Sequence, residues 1–265
     1  MIKKSLLKNL GRVRNWSKQK LTKIRMVVSS VITAVTRQVP DCGDSSAPAI
    51  VEKYGFVDGH PNPSASFTTP DSVANSITGD IDIRWRGICP DWSSINSQTL
   101  VSKYSSGLGD EQKSWWFWLN SAGRMNFGVS DTNASIVFVT ATAIASAFPE
   151  LIWLRVTWSD SSNECKFYFS ATGDSWLQVG TTLTLSAAGI YDGTAPIVVG
   201  SAAVPANVNM VEGNVYRVQI FNVVGGTVPV VDMYPTDYTS GSSWVSAATG
   251  ETWTLSGAAV VVPAP

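Results

Sequence analysis

The sequence contains little from which a catalytic or metal centre could be built. Its 265 residues include one histidine, His60, and three cysteines, Cys42, Cys89 and Cys165, which lie far apart in the chain. One histidine leaves little scope for a histidine-dependent triad, and no two cysteines have the spacing of a zinc site. We expect His60 to be a solvated loop residue and the cysteines to be three reduced thiols, with a Cys42–Cys89 disulfide as the open alternative.

Long apolar runs and common catalytic motifs are also absent from the sequence. No stretch reaches the roughly 18 apolar residues of a membrane span, so we expect no transmembrane helix. The short apolar run at 26–35 follows a basic stretch and has no clear small-residue cleavage site behind it, which argues against a secretory signal. There is no Gly-x-Ser-x-Gly elbow and no phosphate-binding glycine-rich loop. We therefore predict no cofactor and no catalytic residue.

Charged residues are scarce, at 15% of the chain, and they are unevenly distributed. Ten of the 19 basic residues and none of the 20 acidic residues lie in 1–40, so a basic segment precedes an acidic body. Such a segment attracts nucleic acid or an anionic surface without specificity. Leu, Ile and Val are interleaved with the basic residues, which favours packing of a helix against other protein. Trp16 is the one aromatic residue of the segment that could stack on a base, which argues against nucleic acid. We therefore favour docking onto an acidic multi-subunit scaffold.

Residues 1–39 are predicted to form a basic amphipathic α-helical arm. Apolar residues recur there at helical spacing, and one run forms a short heptad seam. The seam residues are Leu21, Ile24, Val28, Val31 and Val35. Because so short a seam is marginal as an isolated coiled coil, we expect the arm to form a homo-oligomer, a trimer or larger, or to pack into a larger assembly. An arm folded back on its own body is the alternative.

Residues 40–75 are predicted to be a Pro- and Gly-rich connector, with a short strand or docking segment at 49–57. Five prolines interrupt any helix there: Pro40, Pro48, Pro61, Pro63 and Pro70. From 76 to 265 the sequence shows short runs rich in Val, Ile and aromatic residues, separated by Gly-containing turns. Many short strands at this spacing predict an all-β, two-sheet antiparallel sandwich or jelly roll.

Eight phrases occur in order and at plausible spacing over about 66–260 of the chain. They are residues 79–85, 98–104, 114–125, 153–157, 167–170, 174–176, 213–218 and 248–255. Together they resemble the concanavalin A-like lectin/glucanase superfamily, in the laminin G-like form found in minor structural proteins of tailed bacteriophages. The resemblance implies two stacked, curved sheets, and it makes 174–176 a hairpin tip whose tryptophan folds back on the sheet.

Glycosidases of this superfamily need two carboxylates that flank the scissile bond. The nearest run here is Asp80, Asp82 and Arg84, which lacks both glutamates and has Arg84 where the second carboxylate belongs. We expect Asp80 to be a turn residue, Asp82 and Arg84 to form an exposed polar face, and no hydrolysis to occur. No metal site is predicted, because three loop aspartates are expected to cap turns rather than bind calcium: Asp131, Asp192 and Asp237.

The aromatic run at 115–119 is the predicted contact surface. Alternation along a strand directs one set of its side chains into the core and Trp116 and Trp118 to the opposite face. Two indoles on an outer face indicate a contact site. Arg217 and Gln219 are expected on the same concave sheet. We therefore predict Trp116, Trp118, Arg217 and Gln219 as ligand-contacting residues, with a glycan, a neighbouring subunit or the protein's own arm as the occupant.

These observations predict a non-enzymatic virion structural protein, a minor tail protein or a capsid decoration, on the particle exterior. Its expected partners are other virion proteins and a host-surface glycan, and we expect no specific nucleic acid. A polysaccharide-degrading enzyme and a secreted carbohydrate-binding module are the alternatives.

Overall fold

The computed structural model describes residues 50–57, 65–94, 96–106, 111–142, 150–202 and 210–265. The predicted helical arm, with its seam at Leu21, Ile24, Val28, Val31 and Val35, lies outside these residues, as does the connector before residue 50. Within the described ranges, no helix is both long enough and apolar enough to cross a membrane.

The described residues form two antiparallel sheets and two single-turn 3-10 helices, Val73–Asn75 and Pro235–Asp237. The first sheet contains β1 (Lys53–Val57), β3 (Ile81–Ile88), β8 (Ile152–Ser159), β9 (Glu164–Ser170), β10 (Leu177–Gln178), β11 (Leu183–Thr184), β13 (Gly213–Phe221), β14 (Val231–Met233) and β17 (Val260–Pro263). The second contains β2 (Ser66–Thr69), β4 (Gln98–Ser105), β5 (Gln112–Leu119), β6 (Met125–Val129), β7 (Val137–Thr140), β12 (Ile197–Val199), β15 (Ser243–Val245) and β16 (Thr252–Ser256).

The chain crosses repeatedly from one sheet to the other. The first sheet has the order β10-β9-β8-β3-β13-β1-β17, with β11 on β9 and β14 on β13. The second has the order β15-β16-β2-β12-β4-β5-β6-β7. Strands that follow each other in sequence, such as β3 and β4, therefore often lie in different sheets. The predicted all-β, two-sheet antiparallel sandwich is confirmed, and its connectivity is consistent with a jelly roll.

The inner faces of the two sheets meet in one hydrophobic core. Ile83 and Trp85 enter it from β3, while Trp115 and Phe117 enter it from β5, and all four have no exposed surface. Burial of a large apolar side chain contributes about 1.5–3 kcal/mol. Because side chains alternate along a strand, the same burial directs the intervening residues of β3 and β5 to the outer faces.

The sandwich begins earlier in the chain than predicted. β1 pairs with β13 and β17 in the first sheet, and β2 pairs with β12 and β16 in the second. The short strand expected within 49–57 is confirmed as β1, but 65–75 belongs to the sandwich rather than to a connector. The predicted start of the sandwich at residue 76 is therefore wrong. β1 and β2 have only five and four residues, and strands this short are hard to recognise in a sequence when prolines flank them.

Candidate functional site

The outer face of the first sheet is lined by charged and aromatic side chains, and we call it the arginine face. Strand register brings Arg84 beside Arg155 on one side and beside Gln219 on the other. Its members on β3, β8, β9 and β13 are Asp82, Arg84, Arg86, Trp153, Arg155, Tyr168, Arg217 and Gln219. Because these residues sit on hydrogen-bonded strands rather than on loops, their backbones are held in fixed positions.

Asp82 lies at the buried centre of the arginine face. Its carboxylate accepts hydrogen bonds from Nε and Nη2 of Arg155 at 2.8 and 2.7 Å, and from the same atoms of Arg84 at 3.4 and 3.0 Å. The backbone N–H of Gly225 donates to it as well, at 3.0 Å. Asp82 has no exposed surface, so its prediction as part of an exposed polar face is wrong. Paired hydrogen bonds of this kind fix the planes of both guanidinium groups.

Asp232, on β14, holds Arg217 in the same way. Nε and Nη2 of Arg217 donate to its carboxylate at 2.8 and 2.5 Å, and Asp232 is 1% exposed. The hydrogen bond to Asp232 is the main reason why the pKa of Arg217 is raised above its ordinary value. Glu251 in turn accepts from the backbone N–H of Asp232 at 2.8 Å. The arginine face therefore contains two separate groups in which a buried carboxylate orients a guanidinium.

Aromatic rings pack against these guanidinium groups. The Trp176 ring centroid lies 5.9 Å from Cζ of Arg84 and 5.2 Å from Cζ of Arg155. Arg84 also lies over the ring of Phe221, at 4.1 Å, and Arg155 lies over Tyr168, at 5.1 Å. Cation–π contacts of this geometry contribute about 0.5–2 kcal/mol each. Trp176 thus folds back on the sheet, as expected for the hairpin tip at 174–176.

A depression of about 330 Å³ lies beside the arginines on this face. Its volume is near the lower end of the range for small-molecule sites, about 300–1,000 Å³. The residues that line it are Arg84, Trp153, Thr172, Gly173, Asp174, Arg217, Gln219, Phe221 and Thr227. Phe221 is 1% exposed beneath Arg84, so the open concavity combines guanidinium donors, an amide, two hydroxyl groups, one carboxylate and the ring of Trp153.

One wall of the depression is the turn between β9 and β10. Gly173 in this turn has φ of +91°, and its N–H donates to Ser170 Oγ at 2.9 Å. A Cβ at this position would lie 2.9 Å from Nε1 of Trp153. Glycine therefore allows both the backbone conformation and the close approach of the turn to the indole.

The four predicted ligand-contacting residues lie on two different sheets. Arg217 and Gln219 are on β13 in the first sheet, where both line the depression. Trp116 and Trp118 are on β5 in the second sheet. The expectation that all four share one sheet is wrong, because alternation identifies a face of a strand but not the sheet that the strand joins.

Trp116 and Trp118 belong to an aromatic row on the outer face of the second sheet, with Tyr104 and Phe138 as its ends. Successive ring centroids from Tyr104 to Phe138 are 5.1, 4.7 and 5.5 Å apart. Trp118 is 8% exposed, and Nε1 of Trp116 donates to Thr99 Oγ1 at 3.0 Å. Phe138 is 57% exposed. The row therefore presents Phe138 to solvent rather than two open indoles.

The remaining predicted aspartates mostly connect segments that are distant in sequence. Asp80 precedes β3 and accepts from the backbone N–H of Asp160 at 2.8 Å, a contact between separate segments rather than within a turn. Asp131 and Asp237 accept from the backbone N–H groups of Ala188 and Ala247, at 3.4 and 2.9 Å, so these contacts are not caps of their own turns. Asp192 instead pairs with buried Lys103 at 3.7 Å. In the part of the chain that the structure describes, no three His, Cys or acidic side chains are grouped to hold a metal ion.

Sequence reasoning missed several residues of the arginine face. Trp153 and Arg155 alternate with the core residues of β8, so their outward direction could have been predicted from the same pattern that was used for β5. The role of Asp232 could not be predicted from alternation, because β14 has only three residues and all three are buried. Its role depends on contacts between strands that sequence spacing does not show.

No family model matches this sequence, and no curated protein matches it. Among solved structures, a native heptameric SAP-like pentraxin from Limulus polyphemus is similar at 12% identity and a TM-score of 0.52, over 82% of this chain and 98% of the pentraxin. A Ruminococcus gnavus IT-sialidase CBM40 bound to alpha2,3 sialyllactose has 11% identity and a TM-score of 0.47, over 66% and 93% of the two chains. The LG1-3 region of the laminin alpha2 chain has 14% identity and a TM-score of 0.45, over 72% and 35%.

The likeness to the pentraxin shows the fold alone, the two-sheet antiparallel sandwich that the sequence predicted. At this identity it shows nothing further about ligand or setting. The tailed-phage origin that the resemblance also implied stays a prediction.

Proposed function

We propose that this protein is a non-enzymatic glycan-binding module whose ligand site is the depression on the arginine face. The main observation in favour is the arrangement of three arginines, fixed by two buried carboxylates, of which Arg84 and Arg217 line the depression beside the ring of Trp153. A sugar presents hydroxyl oxygens around its edge and C–H groups on its faces. Fixed donors and the ring of Trp153 in one open concavity match both surfaces.

The position of the carboxylates supports binding without catalysis. Hydrolysis of a glycosidic bond needs two carboxyl groups on either side of that bond. Asp82 and Asp232 are 0% and 1% exposed and are occupied by arginines, so neither reaches a ligand in the depression. Among the residues that the structure describes, Asp174 is the one acidic residue that lines it. One carboxylate without a partner does not form the required pair.

We further propose that the module is displayed on the exterior of a larger particle, with the tail or capsid of a tailed-phage virion as its setting. This part rests on the sequence resemblance and on the concentration of basic residues in 1–40. In this proposal the basic segment attaches the protein to other virion proteins, and host-surface glycan is the external ligand. Removal of residues 1–40 should abolish incorporation into the particle and leave glycan binding intact. Incorporation without them would contradict the attachment role.

The ligand site is tested by screening the full-length protein on a glycan array and titrating the glycans that bind. Trp153→Ala should weaken the best interaction about tenfold, equivalent to about 1.4 kcal/mol. Phe138→Ala is the matched control, because it removes an aromatic side chain that is 57% exposed on the other sheet. It should leave affinity unchanged.

Three outcomes would contradict parts of the proposal. Loss of binding in Phe138→Ala but not in Trp153→Ala would move the site to the aromatic row of the second sheet. Absence of binding to any glycan would refute the lectin function. Release of reducing sugar from a bound polysaccharide would refute the non-enzymatic role.

A further inference from the structure

We infer that the sugar bound at this site is acidic, and that its carboxylate is held by Arg84 and Arg217. The inference rests on the proposed glycan-binding function and specifies the chemical class of the ligand. Both arginines line the depression, one on β3 and one on the neighbouring strand β13.

The first argument concerns which N–H groups of the three arginines already donate to protein acceptors and which remain available. Arg84, Arg155 and Arg217 each use Nε and Nη2 for a buried carboxylate. Nη2 of Arg84 donates also to the carbonyl of Gly226, at 2.9 Å. In the hydrogen bonds among described residues, Nη1 of these three arginines does not take part. A guanidinium group has hydrogen-bond donors and no acceptor. The available Nη1 groups therefore favour a ligand that is rich in hydrogen-bond acceptors.

The second argument is the balance of charge behind these donors. The one carboxylate of Asp82 serves both Arg84 and Arg155, so this group has one more positive charge than negative. Arg217 and Asp232, in contrast, balance each other, and the carboxylate of Glu251, which accepts from the backbone N–H of Asp232, adds one negative charge behind them. The surplus positive charge therefore lies at Arg84 and Arg155. The side chains of Arg84 and Arg155 are 16% and 12% exposed, so water screens the surplus charge less than it would at an open surface. A ligand carboxylate would neutralise this charge.

The third argument concerns geometry. Nη1 of Arg84 and Nη1 of Arg217 can each donate one hydrogen bond to a ligand carboxylate, and such charge-assisted bonds are about twice as strong as neutral ones. Because Asp82 and Asp232 already fix Arg84 and Arg217, binding would not have to order flexible side chains. Trp153 provides the adjacent ring against which the body of the sugar can lie.

Asp174 opposes an anionic ligand, and this makes it the most informative position to change. It lies on the turn that walls the depression, its side chain is exposed, and no ion pair joins it to an arginine among the described residues. An acidic sugar would be repelled by this carboxylate. A neutral sugar would instead donate its hydroxyl groups to it, so the two ligand classes predict opposite effects of Asp174→Asn.

The test uses paired oligosaccharides on the full-length protein. Each pair consists of a sialylated, glucuronate- or galacturonate-containing glycan and the same glycan after carboxyl reduction, which replaces the acid with a neutral alcohol. We expect at least about tenfold weaker binding of the reduced member, and a salt dependence that only the acidic member shows. Equal binding of both members would refute the acidic ligand and leave the lectin function standing. Failure of the chain to bind any member or any array glycan would refute both.

Two variants complete the test. Asp174→Asn should bind the acidic member about two- to threefold more tightly, because one exposed like charge is removed. Glu164→Gln removes the same charge at an exposed position on β9 outside the depression and should change affinity less. Weaker binding by Asp174→Asn would show that this carboxylate accepts ligand hydroxyls, and it would overturn the inference.

Discussion

Replacement of Asp82 by asparagine should destabilise the protein strongly, because one buried carboxylate holds two arginines. Asp82→Asn keeps the size of the side chain but removes its charge and turns one acceptor into a donor. Arg84 and Arg155 would then lie side by side without a counter-charge, and the backbone N–H of Gly225 would lose or share its acceptor.

The expected size of the effect follows from the burial of the group. Removal of one partner from a buried ion pair costs about 3–5 kcal/mol. Here Asp82 is fully buried, but the arginine side chains are 16% and 12% exposed, so water can solvate them in part. We therefore expect a loss of about 3 kcal/mol in the free energy of unfolding. For a domain of about 200 residues this corresponds to a Tm lower by about 6–12 °C.

The assay is urea unfolding followed by tryptophan fluorescence, at low and at high salt. Glu164→Gln serves as the control, since it breaks an exposed pair with Lys166 that is 2.6 Å long and should cost at most about 1 kcal/mol. High salt should reduce the effect of the control variant and leave that of Asp82→Asn nearly unchanged. If Asp82→Asn loses no more stability than Glu164→Gln, the assignment of Asp82 as the buried anchor is refuted.

Three further predictions concern the interior of the sandwich. Gly87→Ala should cost about 2–3 kcal/mol in urea unfolding, because its Cβ would lie 2.2 Å from an indole carbon and 2.5 Å from a backbone oxygen. Gly79→Ala, which meets nothing within 4 Å, should change stability by less than about 0.5 kcal/mol, and equal effects would contradict the packing. Burial raises the pKa of Cys89 to about 12 and also raises that of Cys165, so at pH 8 at most one of the three thiols should react with DTNB before unfolding. Thiols of the unfolded chain ionise at a lower pH than the buried thiols of the folded chain. The free energy of unfolding should therefore fall as the pH rises above about 9. A free energy of unfolding that does not change with pH in this range would contradict the burial of the two thiols. Lys103→Met removes the hydrogen-bond partner of the Asp71 carboxylate and of the Asn75 amide oxygen. Because Asp71 is 29% exposed and water can solvate it, we expect the free energy of unfolding to fall by about 1–3 kcal/mol. No measurable loss in urea unfolding would contradict this role.

The strands of the body could be predicted from alternation, because the core of a sandwich selects every second residue. Ile81, Ile83 and Trp85 are all fully buried, and the polar residues between them point outward. The pattern was insufficient for β1 and β2, where four or five residues between prolines give too few alternations to count.

The candidate site was harder to predict than the strands, because it depends on which strands become neighbours. Arg217 was identified as an outward residue, but alternation does not show that β13 lies beside β3 while β5 lies in the other sheet. For Asp82, alternation indicated the outer face correctly. It gave no sign that two arginines and Trp176 would cover the residue on that face. Hydrogen-bonded groups assembled from distant segments leave no local periodicity in a sequence.

Under the proposed function, the two carboxylates of the arginine face serve to fix hydrogen-bond donors for a ligand. Buried ion pairs can often be replaced by apolar residues of similar volume without loss of stability, so a need for stability alone does not account for them. Asp82 and Asp232 both lie behind their arginines and leave Nη1 unused. Both stand on strands of the same sheet, and both serve arginines beside the same depression. This arrangement produces a rigid set of guanidinium hydrogen-bond donors with few hydrogen-bond acceptors beside them. Under the proposed function, this set of fixed donors holds an acceptor-rich ligand in place.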